Sequence, residues 1–198
     1  MNYLAHAYLS FEDADVLAGN MMSDYVKGKT QYNYRPTVQI GIRLHRAIDE
    51  YTDQHPATRN IAALFKPHYR LYAGAFADIV YDYFLANDAG IFETAEVLES
   101  FAQRTYAALH SPTQEYPPKF ASMLPYMVSQ NWLYHYRYED GIQKSLAGMV
   151  RRAAYISDSN TAFAIFKEYK NYIQEQYEAF FPNVKKFAIH TLQQLSEH

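Results

Sequence analysis

The stretch from Leu71 to Ala86, LYAGAFADIVYDYFLA, is apolar or aromatic almost all the way round, with Asp78 and Asp82 as its only charged residues. A helix of that composition needs neighbours on every side, so it fixes a core around itself. Its two carboxylates stand at i and i+4 and share one face. Like charges that close in a buried setting are costly unless a cation or strong donors compensate. A Lys, an Arg or a helix N-terminus could satisfy the pair, and so could a metal ion or a catalytic role; the spacing leaves these readings open.

The rest of the chain supplies helical neighbours. Periodicity and punctuation predict helices from about Asp13 to Val26, Pro36 to Asp53, Ala57 to Phe65, His68 to Ala86, Phe92 to Leu109, Pro118 to His135, Asp140 to Arg151, Thr161 to Phe180 and Pro182 to Leu195. Pro36, Pro118 and Pro182 sit where a first turn tolerates a missing N–H, and Gly28 and Gly90 follow expected C-termini. Few stretches alternate with period two, and 7 Gly with 8 Pro are too few for a turn-rich all-β chain. No repeat or linker divides the 198 residues. The expectation is an all-α fold, a single-domain multi-helix bundle over residues 1–198, with 20 Tyr and 12 Phe packed in the core and hydroxyls at its rim.

Composition narrows the chemistry. With no cysteine, disulfides, thiolate metal sites and cysteine nucleophiles are excluded, so any metal must be held by His, carboxylate or carbonyl groups. A net charge of -3 argues against a generic polyanion binder, and nucleic acid falls away as a partner. There is no Gly-rich phosphate loop, no G-x-S-x-G and no H-E-x-x-H. The opening residues carry no basic region or cleavage pattern of a signal peptide. The longest uncharged stretch, Phe120 to Tyr136, is interrupted by Pro125, Ser129, Gln130, Asn131 and His135 and makes a poor membrane span. A soluble, cytoplasmic protein is the expectation.

Polar residues in apolar context mark a candidate site. In PTVQIGIRLHRAIDEYTDQHP, His45, Asp49 and Asp53 follow at i, i+4 and i+8. At about 100° per residue Asp49 projects within ~20° of Val38 and Ile42, while Arg43, Arg46 and Glu50 fall on the opposite, wet side. His45 and Asp49 therefore point inward, as a metal-ligand pair or as a hydrogen-bonded core pair. His6 in NYLAHAYL and Asp24 in LAGNMMSDYVKG, with Asn20 one turn before it, interrupt apolar runs in the same way. His6 alone reads as a core histidine or a ligand, and Asp24 as a cap, a partner of Lys27 or Lys29, or a ligand. Together His6, Asp24, His45, Asp49, Asp78 and Asp82 come from four segments, and one cation where they meet would neutralise several carboxylates. His55 is a candidate for supporting such a site. His68, His110, His190 and His198 lie near helix ends, where capping or solvation explains them; His135 is open.

Five ordered blocks, MNYLAHAYLS, GNMMSDYVKG, IRLHRAIDEYTDQHP, DIVYDYFL and NWLYHYRYEDGIQKSLAGMVRR, span nearly the full chain. They resemble the bacterial acyl carrier protein phosphodiesterases, or ACP hydrolases, themselves distantly similar to HD-type metal phosphohydrolases. The resemblance implies an HD-domain-like helical enzyme that uses a divalent cation, Mn²⁺ first, to release 4′-phosphopantetheine from holo-acyl carrier protein. It makes Asp24, His45, Asp78 and Asp82 the preferred metal ligands, with His6 and Asp49 as further ligands. Arg46 follows His45 where the HD signature has an adjacent His-Asp pair, so Asp49 is the candidate for the missing carboxylate.

Mixed His and carboxylate ligation suits Mn²⁺, Fe²⁺ or Zn²⁺ better than an all-oxygen Mg²⁺ or Ca²⁺ site. In that mechanism Asp49 or Asp53 accepts a proton from water and Arg46 contacts the phosphate. An acidic carrier protein would need local basic residues, for which Lys27, Lys29, Arg43, Arg46, Lys119, Arg151 and Arg152 are candidates. Two other readings remain: a noncatalytic helical module that binds an acidic partner, and a phosphohydrolase acting on a nucleotide or small phosphodiester.

Overall fold

The computed structural model describes residues 1–110 and 115–197, so His198 lies outside the described residues. Among the described residues eleven α-helices follow one another: α1 (Tyr3–Tyr8), α2 (Ala14–Met22), α3 (Pro36–Gln54), α4 (Pro56–Tyr69), α5 (Ala73–Ala86), α6 (Ala95–Leu109), α7 (Pro118–Ser129), α8 (Trp132–His135), α9 (Glu139–Arg152), α10 (Asn160–Glu168) and α11 (Lys170–Ser196). Short 3₁₀ turns occupy Ser23–Tyr25, Gly28–Asn33 and Arg70–Tyr72. There is no strand among the described residues, and the fold is all-α as expected. None of their helices is long and apolar enough to cross a membrane.

The apolar segment is the centre of the molecule. Phe76, Val80, Tyr81, Asp82 and Leu85 of α5 are fully buried, and α1, α4, α9 and α11 pack around them. Aromatic stacking joins the layers: Tyr81 lies on Phe180 of α11 with ring centroids 4.6 Å apart, and Phe76 on Phe65 of α4 at 5.4 Å.

Several expected boundaries move. The helix expected from His68 to Ala86 breaks at Arg70, whose φ of +48° lies outside helical space, and α4 runs on from Phe65 to Tyr69 instead. The stretch from Pro118 to His135 is interrupted at Asn131, also at φ +48°, a conformation that asparagine tolerates better than most residues. Pro182 does not start a helix: α11 passes through it, and the break falls at Tyr169. Pro182 and Glu178 are both exposed, and the proline leaves the Glu178 carbonyl without its usual N–H. Helix α2 tightens into a 3₁₀ turn after Met22 rather than reaching Val26, and α6 starts at Ala95, where the Thr94 hydroxyl accepts the Val97 amide at 3.4 Å. Gly28, expected just after a helix C-terminus, instead opens the 3₁₀ turn Gly28–Asn33 at φ +54°, a backbone angle that glycine adopts without strain.

One crossing decides where the polar residues meet. A Cβ on Gly19 of α2 would stand 2.1 Å from the Val38 carbonyl oxygen, and a Cβ on Gly41 of α3 would stand 2.1 Å from that of Val16. The two backbones therefore touch, which only paired glycines allow. Asn20 and His45, just beyond this contact on the two helices, are brought within hydrogen-bonding distance by it.

Candidate metal centre

His45 is buried on the inner face of α3, and both its nitrogens have defined neighbours. Nδ1 lies 3.2 Å from Asn20 Oδ1. The Asn20 amide nitrogen donates to the His6 carbonyl at 3.0 Å and to Ser10 Oγ at 3.1 Å, so its oxygen must be the atom facing the ring. That hydrogen-bond pattern assigns a proton to Nδ1 and turns Nε2 toward Asp49 Oδ2 at 3.0 Å and Asp24 Oδ1 at 3.1 Å. Burial works to lower the His45 pKa, but the carboxylates of Asp24 and Asp49 outweigh it and push it up to about 9. What occupies Nε2 is a proton that a cation could replace.

His6, on α1, is buried and stacks on His45 with ring centroids 3.9 Å apart. Its Nε2 is 3.2 Å from Asp49 Oδ1, but the alignment is not that of a hydrogen bond, and neither ring nitrogen has a hydrogen-bond partner among the described residues. Buried polar atoms left this way are uncommon and call for an explanation. Burial, reinforced by the charge on His45, holds its pKa down to about 4, so the ring is neutral and offers a lone pair. One donor atom each from His6, His45 and Asp49 lies within 4.8 Å of the others, a spacing that one metal ion can bridge. The donor set, two imidazoles and a carboxylate with an orphaned buried nitrogen among them, fits a divalent cation.

The remaining carboxylates differ in surroundings. Asp24 stands at the open side with its side chain 69 % exposed, and the hydrogen bond from His45 holds its pKa below the usual range. Burial would raise Asp49, but the Met1 amino group and the two histidines hold it well below that range. Asp78 is raised by burial, and its Oδ1 lies 2.9 Å from the Met1 amino group, which is 3.3 Å from Asp49 Oδ1. Asp82 turns the other way. Its two oxygens accept the Leu4 amide at 2.8 Å and the Ala5 amide at 3.2 Å, and burial pushes its pKa up to about 7. Asp78 and Asp82 are thus met by an amino group and by the first amides of α1.

A model of the family "Acyl carrier protein phosphodiesterase" matches residues 1–184. The chain belongs to the acyl carrier protein phosphodiesterase family. Curated relatives of that name include one from Serratia proteamaculans (strain 568), 31% identical over 188 residues that cover 95% of this chain and 97% of the relative. Another, from Salmonella agona (strain SL483), is 29% identical over 184 residues, 93% of this chain and 95% of its own. No solved structure matches the chain.

In this acyl carrier protein phosphodiesterase family member, the other residues singled out by sequence lie outside the cluster. Arg46 is exposed and donates to Gln31 Oε1 and to the Val26 carbonyl, both at 3.0 Å, pinning the segment after α2. Asp53 is exposed one turn beyond Asp49 and makes no hydrogen bond or ion pair among the described residues. Lys27, Lys29, Arg43, Lys119, Arg151 and Arg152 are exposed. His55 caps α4, its Nδ1 accepting the Ala57 amide at 3.2 Å, and His135 is exposed with Nδ1 near the Gln130 and Asn131 carbonyls. Sequence reasoning noted Asn20 only as a neighbour of Asp24. The available signal was a buried amide in an apolar run, one turn before a carboxylate.

Proposed function

We propose that this chain is a metal-dependent phosphoric diester hydrolase that converts holo-acyl carrier protein to apo-acyl carrier protein and 4′-phosphopantetheine, working in the cytoplasm as one domain over residues 1–198. The observation that carries the metal site is His6, a neutral buried imidazole 3.2 Å from an Asp49 oxygen yet without a hydrogen-bond partner among the described residues, set against His45 and Asp49. His6, His45 and Asp49 are the proposed ligands. Their mixed nitrogen and oxygen donors favour Mn²⁺, with Fe²⁺ and Zn²⁺ as alternatives. When bound, a divalent cation acidifies water and offsets negative charge on phosphate oxygens.

The chain's own groups supply the rest. Asn20 holds the His45 ring by Nδ1 and fixes which nitrogen is presented. Asp24, ionised and open to the cleft, is placed to take the proton of the attacking water at its carboxylate. Water adds to phosphorus, and the bond from phosphorus to the serine oxygen of the carrier breaks. The serine leaves as a free hydroxyl, its oxygen taking up the proton that Asp24 drew from the water, and the pantetheine arm keeps the phosphate as a monoester. Asp78 and Asp82 in this scheme support the centre and α1 rather than bind the ion.

The test is the intact mass of holo-carrier protein after incubation with purified protein and Mn²⁺. Loss of one phosphopantetheine group is expected. Binding without mass change would favour a noncatalytic module, and turnover confined to small diesters or nucleotides would change the substrate.

A further inference from the structure

The cleft beside His6 and His45 has a volume of about 160 Å³, and its lining includes Tyr3, Asp24, Tyr25 and Arg152. Arg152 is the only Lys or Arg among the described residues that line it. It ends α9, and no carboxylate pairs with it among the described residues. Arg151 beside it is likewise without a hydrogen bond or ion pair.

The two guanidiniums converge on one spot. A Cβ on Gly148, one turn back on the same helix, would stand 3.4 Å from Arg152 Nη1 and 3.5 Å from Arg151 Nη2. The missing side chain thus leaves room for two cations to fold back side by side. Like charges so placed repel, and a helix C-terminus offsets only part of that cost. An anion between or beside them would relieve it. The Tyr3 and Tyr25 hydroxyls border the same cleft; they lie 3.1 Å apart and both also reach Met123 Sδ, at 3.3 and 3.4 Å.

Arg46 cannot fill this role from where it stands, since both ends of its guanidinium are engaged by Gln31 and Val26. We propose that Arg152, supported by Arg151, is the anion grip of this cleft and binds the nonbridging oxygens of the scissile phosphate. A planar guanidinium matches two phosphate oxygens at once, and charge offered there stabilises the more highly charged transition state. This assignment rests on the phosphodiesterase reading, and it makes Arg152 a substrate-binding residue for the diester itself. A residue that only docks the carrier protein would leave a small diester untouched.

The experiment compares wild type, Arg152→Ala and Arg152→Lys, each loaded with Mn²⁺, on holo-carrier protein and on bis(4-nitrophenyl) phosphate, and measures the Kd of inorganic phosphate calorimetrically. Arg152→Ala should lose about tenfold or more in kcat/KM on both substrates and weaken phosphate by a similar factor, with Arg152→Lys in between. Mn²⁺ content should stay at the wild-type level. A loss confined to carrier protein, or an unchanged phosphate Kd, overturns the proposal. If wild type cleaves neither diester, the phosphodiesterase reading fails separately, and the phosphate Kd still decides whether Arg152 grips an anion.

Discussion

The rings of His6 and His45 stack with centroids 3.9 Å apart and planes 18° from parallel. Two imidazolium ions that close would repel, so the metal-free protein carries one proton charge on the pair. The carboxylates at Nε2 assign it to His45, and burial keeps His6 neutral. A divalent cation held by a nitrogen of each ring would meet one free lone pair and would have to displace one proton.

Metal binding is therefore expected to release about one proton per ion at neutral pH. His45 holds its proton up to about pH 9, so protons compete below that value. The affinity for Mn²⁺ should fall about tenfold for each pH unit lost and level off above pH 9. Calorimetric titration in buffers of different ionisation enthalpy reads the released proton directly. An affinity that does not change between about pH 6 and 8 would remove His45 from the ligand set.

Asn20→Ala removes the acceptor for His45 Nδ1 without touching a proposed ligand. Mn²⁺ affinity should drop about 10–100-fold while the protein still unfolds cooperatively. The check is a metal titration paired with a urea melt. Wild-type affinity would show that the imidazole is oriented by something other than Asn20.

Gly41→Ala puts a methyl group where the Val16 carbonyl oxygen already stands. The helices must separate, at a cost of about 1–3 kcal/mol or more. The urea midpoint should fall accordingly, and metal affinity should fall with it because His45 and Asn20 ride on opposite sides of the crossing. A midpoint equal to wild type would contradict so close a contact of α2 and α3.

Asp82 and Asp49 should separate cleanly. Asp49→Asn is expected to abolish stable Mn²⁺ binding, whereas Asp82→Asn keeps an oxygen for the α1 amides and should retain the metal. Its signature is pH-dependent stability. Burial raises Asp82 from an ordinary 3.8 to about 7 in the folded protein, which then binds the proton more tightly than the unfolded chain does. The stability that this contributes is full below about pH 4 and is lost as pH rises to about 7. Relative to wild type, Asp82→Asn should thus gain stability across that window, read from urea midpoints. Parallel pH profiles would place the titrating group elsewhere.

Much of this was legible because burying polar groups is expensive. The near-continuous apolar surface of Leu71–Ala86 announced the central helix, and the inward phase of His45 and Asp49, with His6 and Asp24 in apolar runs, marked side chains that the structure brings together. What was not legible depends on distances between segments. The i, i+4 spacing of Asp78 and Asp82 is the same for a ligand pair as for a carboxylate that caps a short helix, and α1 has too few residues to announce itself. The helical phase of Arg46 gave its exposure but not that Gln31 and Val26 would hold it. The breaks at Arg70 and Asn131 need positive-φ backbone, which an arginine does not announce and which an asparagine permits without requiring.

The most direct measurement is the intact mass of holo-carrier protein treated with metal-stripped protein, with the same protein reloaded with Mn²⁺, and with Mn²⁺-treated His45→Ala. The account predicts conversion to the apo mass, with free 4′-phosphopantetheine, only in the reloaded wild type. Conversion by the stripped protein, or by His45→Ala at the wild-type rate, would contradict it.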